Sequence, residues 1–375
     1  MKKILHIANW YPNKWDDLEG IFIKEQYNVF SKVTDSHLIH VQVRDAETFM
    51  EYKYIKYSDR EEGYYFLTSI KFNKLIEFLT TFLLLWALVK SNYKKYDLLH
   101  FHIAYPLLIH YYLWKRIMKM PIIISEHWSA YHFNFYMPKS TKKLGGIKRI
   151  FRQKIALITV SKALRTDIQN FGEIVDFPSI VIPNIINKSY KSKDDLLGNI
   201  PSFFIVNIWR EIKNPFSMLE AFAHLSDGGI QYRLQIGGYG ELLEKMKQFV
   251  KNRQLESNIT FLGKMDNKQI EKELNNCDAY LFSSKYETFS VACADALNCG
   301  CPLIGPAIPS VLEYTNSKEL ICVDHDTSTE WQEKLYYFIH NRAKYNKQQI
   351  ASRASDYFSN KKIQKSYIGF INEYC

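Results

Sequence analysis

Short apolar runs rich in β-branched and aromatic residues alternate with helix-period stretches along almost the whole chain. The strand-like runs of the first half are KILHIA (3–8), SHLIHVQV (36–43), YYFLTSI (64–70), DLLHFHI (97–103), PIIISE (121–126) and ALITVS (156–161). Helical patterns at 21–33, 72–92, 106–119 and 143–154 separate most of them. Strands that are apolar throughout, joined by helical crossovers, predict an α/β fold with a parallel sheet covered on both faces. SIVIPN (179–184) closes this series, and the polar stretch KSYKSKDDLLGNIP (188–201) reads as a linker.

The pattern then restarts with SFFIVNIW (202–209), QYRLQIGG (231–238), NITFLG (258–263), DAYLFSS (278–284), PLIG (302–305) and LICV (320–323). Helical stretches at 215–225, 241–253, 267–276 and 289–299 fall between them, and the chain beyond 327 reads as helix to its end. The pattern divides the chain into a first doubly wound domain at 1–185, a linker at 186–200, a second doubly wound domain at 201–357 and a final helix at 358–375. Two such domains are expected to meet at a cleft, with ligands at the C-terminal ends of the strands.

Composition narrows the function classes. Apolar residues make up 47% and charged residues 23%, which suits a globular chain. Lys plus Arg outnumber Asp plus Glu by 49 to 39, a formal charge of +10, which draws nucleic acid, acidic lipid or phosphorylated small molecules. A solvated basic surface accounts for the same number. The six cysteines, at 277, 293, 299, 301, 322 and 375, form no CxxC pair, so they read as buried thiols of a reducing cytoplasm rather than zinc ligands. The first residues read as a strand and are too short an apolar stretch for a signal peptide. FLTTFLLLWALV (78–89) is too short to span a bilayer, which leaves a buried helix or one that dips into a membrane surface.

Each chemistry-bearing motif sits at the end of a predicted strand. In SSKYETFSVACADALNCGCPLIG (283–305), Glu287 precedes a helix expected to start near Phe289 or Ser290 and to stop at Gly300. Asp295 then falls in its second turn. A helix start attracts phosphate, and carboxylates accept hydrogen bonds from sugar hydroxyls. Taken alone, the two acids are equally well read as favourable neighbours of a helix start.

The segment Glu287-Thr-Phe-Ser-Val-Ala-Cys-Ala-Asp295, running on to Gly300-Cys-Pro302, resembles the signature of family 4 of the retaining glycosyltransferases. These have the GT-B fold, two Rossmann-like domains facing a cleft, with a C-terminal helix crossing back to the first. The resemblance implies that Glu287 contacts the donor sugar and that the second acid contacts the nucleotide ribose. Here that acid is Asp295, one methylene shorter than the family's Glu. Thr288, Phe289, Ser290 and Val291 complete the implied donor-binding element.

VNIWREIKNPFSMLEAF (206–222) resembles the family's donor-phosphate segment. Lys213 takes the lysine position, and Arg210 stands in for an arginine that the family places at 207 or 208. LQIGGYGEL (234–242) matches the Gly-rich turn near the base, giving Gly238. WYPNKWDDLEGIFIKEQ (10–26) matches the acceptor-side loop, where Gly20 would let the backbone approach phosphates. PIIISEHWSAYH (121–132) places Glu126 and His127 at a strand end, His127 matching a histidine near the donor sugar. His102 reads as packing or as acceptor-facing, Ser161 as a helix cap, and Asn184 as a turn residue.

The resemblance implies transfer of a hexosyl group from a nucleotide-diphosphate sugar to an acceptor hydroxyl with retention. Glu287, His127 and Lys213 carry the chemistry, and no metal or other cofactor is needed. Asp324-His-Asp326 reads as a helix start rather than a metal pair. The partners implied are a nucleotide sugar and an oligosaccharide or lipid-linked acceptor, with no nucleic acid; the basic charge and the 78–89 run add an expected peripheral contact with an anionic membrane at its cytoplasmic face. Cell-surface polysaccharide or glycolipid synthesis is the expected setting. A sugar-nucleotide epimerase or phosphorylase on the same fold, and a basic nucleic-acid-binding protein, are the alternatives.

Overall fold

The apolar runs become strands because a fully covered parallel strand can hide both of its faces, and β-branched side chains fit that surface. A computed structural model describes residues 1–138, 141–191 and 198–374. Residues 192–197, in the middle of the expected linker, lie outside the described residues. The chain divides into two units, one formed by Met1–Ile185 with Asn360–Cys375 and one by Ile186–Ser359.

Unit 1 contains β1 Lys3–Ala8, α1 Ile21–Phe30, β2 Asp35–Asp45, β3 Glu51–Ser58, β4 Glu61–Thr68, α2 Asn73–Lys90, β5 Leu98–His102, α3 Tyr111–Ile117, β6 Ile122–Glu126, α4 Lys142–Phe151, β7 Ala156–Thr159, α5 Lys162–Gly172 and β8 Ser179–Val181. Its eight-stranded sheet runs β3-β4-β2-β1-β5-β6-β7-β8. Only the β3–β4 pairing among these is antiparallel. β3 was not expected. Its sequence EYKYIKYS alternates tyrosine with charge, as suits an edge strand whose lysines discourage further pairing. α2 also departs from a simply buried helix: Leu79, Leu83, Leu84, Ala87 and Leu88 face the core, but Phe78, Phe82 and Trp86 face outward.

Unit 2 contains β9 Ser202–Ile208, α6 Phe216–Asp227, β10 Arg233–Tyr239, α7 Leu243–Asn252, β11 Ile259–Gly263, α8 Asn267–Asn276, β12 Ala279–Leu281, α9 Val291–Asn298, β13 Leu303–Pro306, α10 Pro309–Leu312, β14 Leu320–Val323, α11 Ser328–Asn341 and α12 Lys347–Tyr357. Its six strands are all parallel, in the order β11-β10-β9-β12-β13-β14. Phe203, Ile205, Leu234 and Ile236 of the sheet pack with Met218, Phe222, Trp331 and Phe338 of the covering helices.

The last helix, α13 Asn360–Tyr374, belongs to unit 1. Ile363, Tyr367, Phe370 and Ile371 enter the core made by Ile4, Phe30, Leu98 and Ile123. The Tyr367 ring stacks on Phe30 at 3.8 Å, and its hydroxyl meets His100 Nδ1 at 3.0 Å.

Candidate active site

In unit 2, β9 is the first strand in sequence yet lies between β10 and β12. The winding reverses there, so the loops after β9 and β12 part at their C-terminal ends and leave the crevice where doubly wound sheets bind ligands. Lys213 follows β9 and Glu287 follows β12, so both border that crevice.

The loop after β9 is anchored at both ends. Trp209 is fully buried and its indole N–H donates to Gly237 O at 2.9 Å. A single 3₁₀ turn, Glu211–Lys213, follows, and Asn214 leaves it in the left-handed region at φ 39°. The Asn214 side-chain amide donates to Asp326. This loop is also joined to the one after β12, because Lys285 N donates to Ile212 O at 2.9 Å and Ser283 Oγ donates to Lys213 O at 2.6 Å.

On that frame Lys213 Nζ lies 2.5 Å from Glu287 Oε1. Ser284 Oγ donates to the same oxygen at 2.7 Å, and Ser310 Oγ donates to the Glu287 carbonyl at 2.7 Å. Both partners of the ion pair keep about a fifth of their side chain exposed (19% each), so the pair is screened but reachable. Arg210 is exposed on the same loop, one residue before the 3₁₀ turn.

α9 starts at Val291, slightly later than expected, because Ser290 adopts the left-handed conformation at φ 63° and makes no side-chain cap. Phe289 is buried, its ring 5.2 Å from that of Tyr314, whose hydroxyl donates to Phe289 O at 2.8 Å. Thr288 is half-buried and Val291 is exposed at the mouth of the helix.

Asp295 is buried one turn further on, with Lys188 Nζ at 2.5 Å. Burial pushes its carboxyl above the usual range, while Lys188 pulls it back. The two acids of the motif therefore belong to separate ion pairs. Lys188 lies in the polar stretch read only as linker, and no periodicity marks it; Asn298 holds its carbonyl at 2.6 Å.

Gly238 has a strict local reason. At φ 109°, a Cβ there would lie 1.8 Å from Asn207 O of β9. Asp326 accepts from Trp331 Nε1 at 2.9 Å as well as from Asn214, while Thr327 caps α11. The Asp-x-Asp thus sits at a helix start and fastens the Lys213 loop. Cys277, Cys293, Cys299 and Cys301 are buried free thiols, and Cys322 is half-buried.

In unit 1 the winding reverses between β1 and β5. Gly20 follows β1 at φ 62°, where a Cβ would lie 2.6 Å from the Trp10 carbonyl. His127 follows β6 and is buried, its ring 4.6 Å from that of Phe22. Its ring nitrogens complete no close hydrogen bond, and the polar neighbour is the Asn184 side chain. Burial holds the imidazole down at about 3, so it is neutral at pH 7. Its neighbour Glu126 accepts from Ala104 N at 2.7 Å and from Tyr131 Oη at 2.6 Å. Burial pushes the Glu126 carboxyl up to about 7. Residue-by-residue reading did not isolate that shift, because it needs the desolvated surroundings.

His102 packs. With His6 and His100 it forms a cluster whose ligating nitrogens lie within 4.8 Å. His6 bonds His102 at 3.0 Å and Ser36 at 3.1 Å, and His100 bonds Ser125 at 2.8 Å besides Tyr367. The cluster is two buried hydrogen-bonded chains, Ser36–His6–His102 and Ser125–His100–Tyr367, whose rings pack on each other, and the second ties the strands to α13.

Comparison with known proteins follows the same division. Residues 191–355 match the family model described as "Glycosyl transferases group 1", and residues 50–190 match "Glycosyltransferase Family 4". N-acetyl-alpha-D-glucosaminyl L-malate synthase of Bacillus anthracis is 25% identical over 250 residues, 62% of each chain. Poly(glycerol-phosphate) alpha-glucosyltransferase of Bacillus subtilis (strain 168) is 25% identical over 199 residues, 51% of this chain and 28% of that protein. The chain thus spans less than two thirds of these curated relatives.

Sucrose-phosphate synthase from Thermosynechococcus elongatus superposes with a TM-score of 0.78 at 15% identity, over 99% of each chain. HepE of Anabaena, solved with UDP and glucose, superposes with a TM-score of 0.72 at 14% identity, over the full length of both. These likenesses show the fold, two Rossmann-like parallel-sheet units as in GT-B proteins. The two family segments adjoin and together occupy residues 50–355, and the fold is that of GT-B proteins.

Proposed function

We propose that the chain transfers a sugar from a nucleotide-diphosphate donor to an acceptor hydroxyl with the anomeric configuration retained. The observation that carries this reading is the Lys213–Glu287 pair at the winding reversal of unit 2, with Arg210 on the same loop. A diphosphate entering there meets Lys213, Arg210 and the start of α9, all of positive sign. Lys213 exchanges its carboxylate partner for phosphate oxygen, and Glu287 turns to the hydroxyls of the attached sugar.

In the reaction the bond from the anomeric carbon to the β-phosphate oxygen breaks. The bond to the acceptor oxygen forms on the same face, and the acceptor proton passes to the departing phosphate. Charge grows on the diphosphate, where Lys213 and Arg210 stabilise it without reorganising. Glu287 contributes by orientation. The neutral imidazole of His127, with Asn184 beside it, is suited to hydrogen-bonding a sugar hydroxyl. Lys213 and Arg210 meet the diphosphate charge, so the reading calls for no metal.

HepE is solved with UDP-glucose, which puts UDP-sugars first in a donor panel. An oligosaccharide or lipid-linked acceptor, in cell-surface polysaccharide or glycolipid synthesis, completes the reading. The test is turnover and nucleotide titration. Glu287→Gln is expected to lower kcat by about 10²–10³-fold with an unchanged melting curve. Lys213→Ala should weaken binding of nucleoside diphosphate about tenfold. Near-normal turnover by the first variant, or an unchanged titration by the second, would overturn the assigned roles.

A further inference from the structure

The outward face of α2 carries Leu75, Phe78, Phe82, Trp86 and Val89, which are 38%, 61%, 51%, 42% and 61% exposed. At about 100° per residue these five fall within an arc of roughly 80°. No polar residue interrupts that arc inside the helix, so a continuous apolar stripe about 20 Å long faces water. The stripe continues onto the edge strand. Phe82 stacks on Phe66 at 6.3 Å, Phe66 meets Tyr52 at 5.9 Å, and Trp86 Nε1 donates to Tyr52 Oη at 3.4 Å.

Charge is arranged around the stripe rather than in it. Lys71 and Lys74 stand exposed at one end, and Lys90, Lys94 and Lys95 stand exposed at the other. Glu77 is the one acid between 71 and 96, and it is turned away, accepting from Tyr105 Oη at 3.3 Å with Lys143 Nζ at 3.5 Å. Lys90 Nζ lies 4.9 Å from the Trp86 ring centre, the mixed aromatic and basic character of side chains at a headgroup boundary.

We propose that this face docks unit 1 onto an anionic lipid surface. α2 would lie in the plane of the interface, its aromatics among the acyl-chain ends and its lysines at the phosphates. The helix does not cross: among the described residues no helix is long and apolar enough to span a membrane. A second copy of the chain fits the face less well, because a two-fold contact would set both lysine groups against their own counterparts. The proposal stands whether or not the transfer reaction does.

Vesicle flotation tests it with the full chain, using phosphatidylcholine alone and phosphatidylcholine mixed with phosphatidylglycerol. The chain should float with the mixed vesicles, float far less with the neutral ones, and be released by salt. Joint replacement Phe78→Ser, Phe82→Ser and Trp86→Ser should cut binding at least about tenfold. Lys74→Gln and Lys90→Gln should each cut it about fivefold. These side chains are exposed, and an unchanged melting curve will verify that each variant folds. The idea is overturned by no flotation on anionic vesicles, by equal flotation on neutral ones, or by full binding of the triple serine variant. A wild-type dimer that the serine variant dissociates also overturns it, since the stripe would then be a self-contact.

Discussion

Glu126 shows what one buried carboxyl costs a fold. Its Oε1 accepts two hydrogen bonds and the backbone amides of His127 and Trp128 also face the carboxyl, yet no cation offsets the burial. The folded group therefore keeps its proton up to about 7, whereas the ordinary value is 4.5. Between those two pH values the folded state holds a proton that the unfolded chain has released, so this group's contribution falls as pH rises. The full loss is about 3 kcal/mol above pH 7. Glu126→Gln keeps an acceptor for both Ala104 N and Tyr131 Oη and removes the ionisation. Its advantage in melting temperature over the wild type should be small at pH 5 and grow towards pH 8. Parallel curves for the two proteins across that range would show that Glu126 does not carry this shift. Neighbouring His127 is held neutral by the same dry surroundings.

At the scale of elements, α9 shows which parts of the site could be read and which could not. Glu287 and Asp295 were visible because their spacing, Gly300 and Pro302 are local features. The destination of each carboxylate was not, since Lys213 and Lys188 reach them from 74 and 107 residues away. Lys188 is one lysine in a polar run, and only the fold distinguishes it. The strands were legible for a plain reason: β1, β6 and β14 are largely hidden and show mostly apolar runs. β3 was not, because an edge strand half in water reads like a polar loop. The start of α9 falls one residue past Ser290, whose left-handed backbone carries no propensity signal. The Lys188–Asp295 pair yields a prediction for this element. Lys188→Ala leaves a nearly buried carboxylate without its cation, which should cost about 3 kcal/mol in urea unfolding. Adding Asp295→Asn should restore most of that, because the uncompensated charge goes with it. Equal stabilities for the wild type and Lys188→Ala would mean that the pair makes no net contribution.

For the whole molecule the last fifteen-residue helix matters most, because the chain leaves unit 1 near Ile185 and returns to it only at Asn360. α13 fills a place in the first core that no other segment fills. Tyr367 is fully buried against Phe30 and its hydroxyl is hydrogen-bonded to His100. Ile363, Phe370 and Ile371 cover Ile4, Leu98 and Ile123. At about 1.5–3 kcal/mol for each of these four side chains, removal of the helix forfeits on the order of 6–12 kcal/mol. A domain's whole stability is about 5–15 kcal/mol, so the loss is comparable with everything unit 1 has. Unit 2 has its own core, closed by Trp331, Leu335 and Phe338, and loses none of these contacts. A chain ending at Ser359 should therefore unfold unevenly. Amides of β1 and β5 should exchange hydrogen quickly while those of β9 and β12 stay protected. Tyr367→Phe, which loses the hydroxyl and its contact to His100, should cost about 1 kcal/mol and leave both sheets protected. If the shortened chain kept β1 and β5 as slow to exchange as the full one, α13 would be a cover on unit 1 and not part of its core.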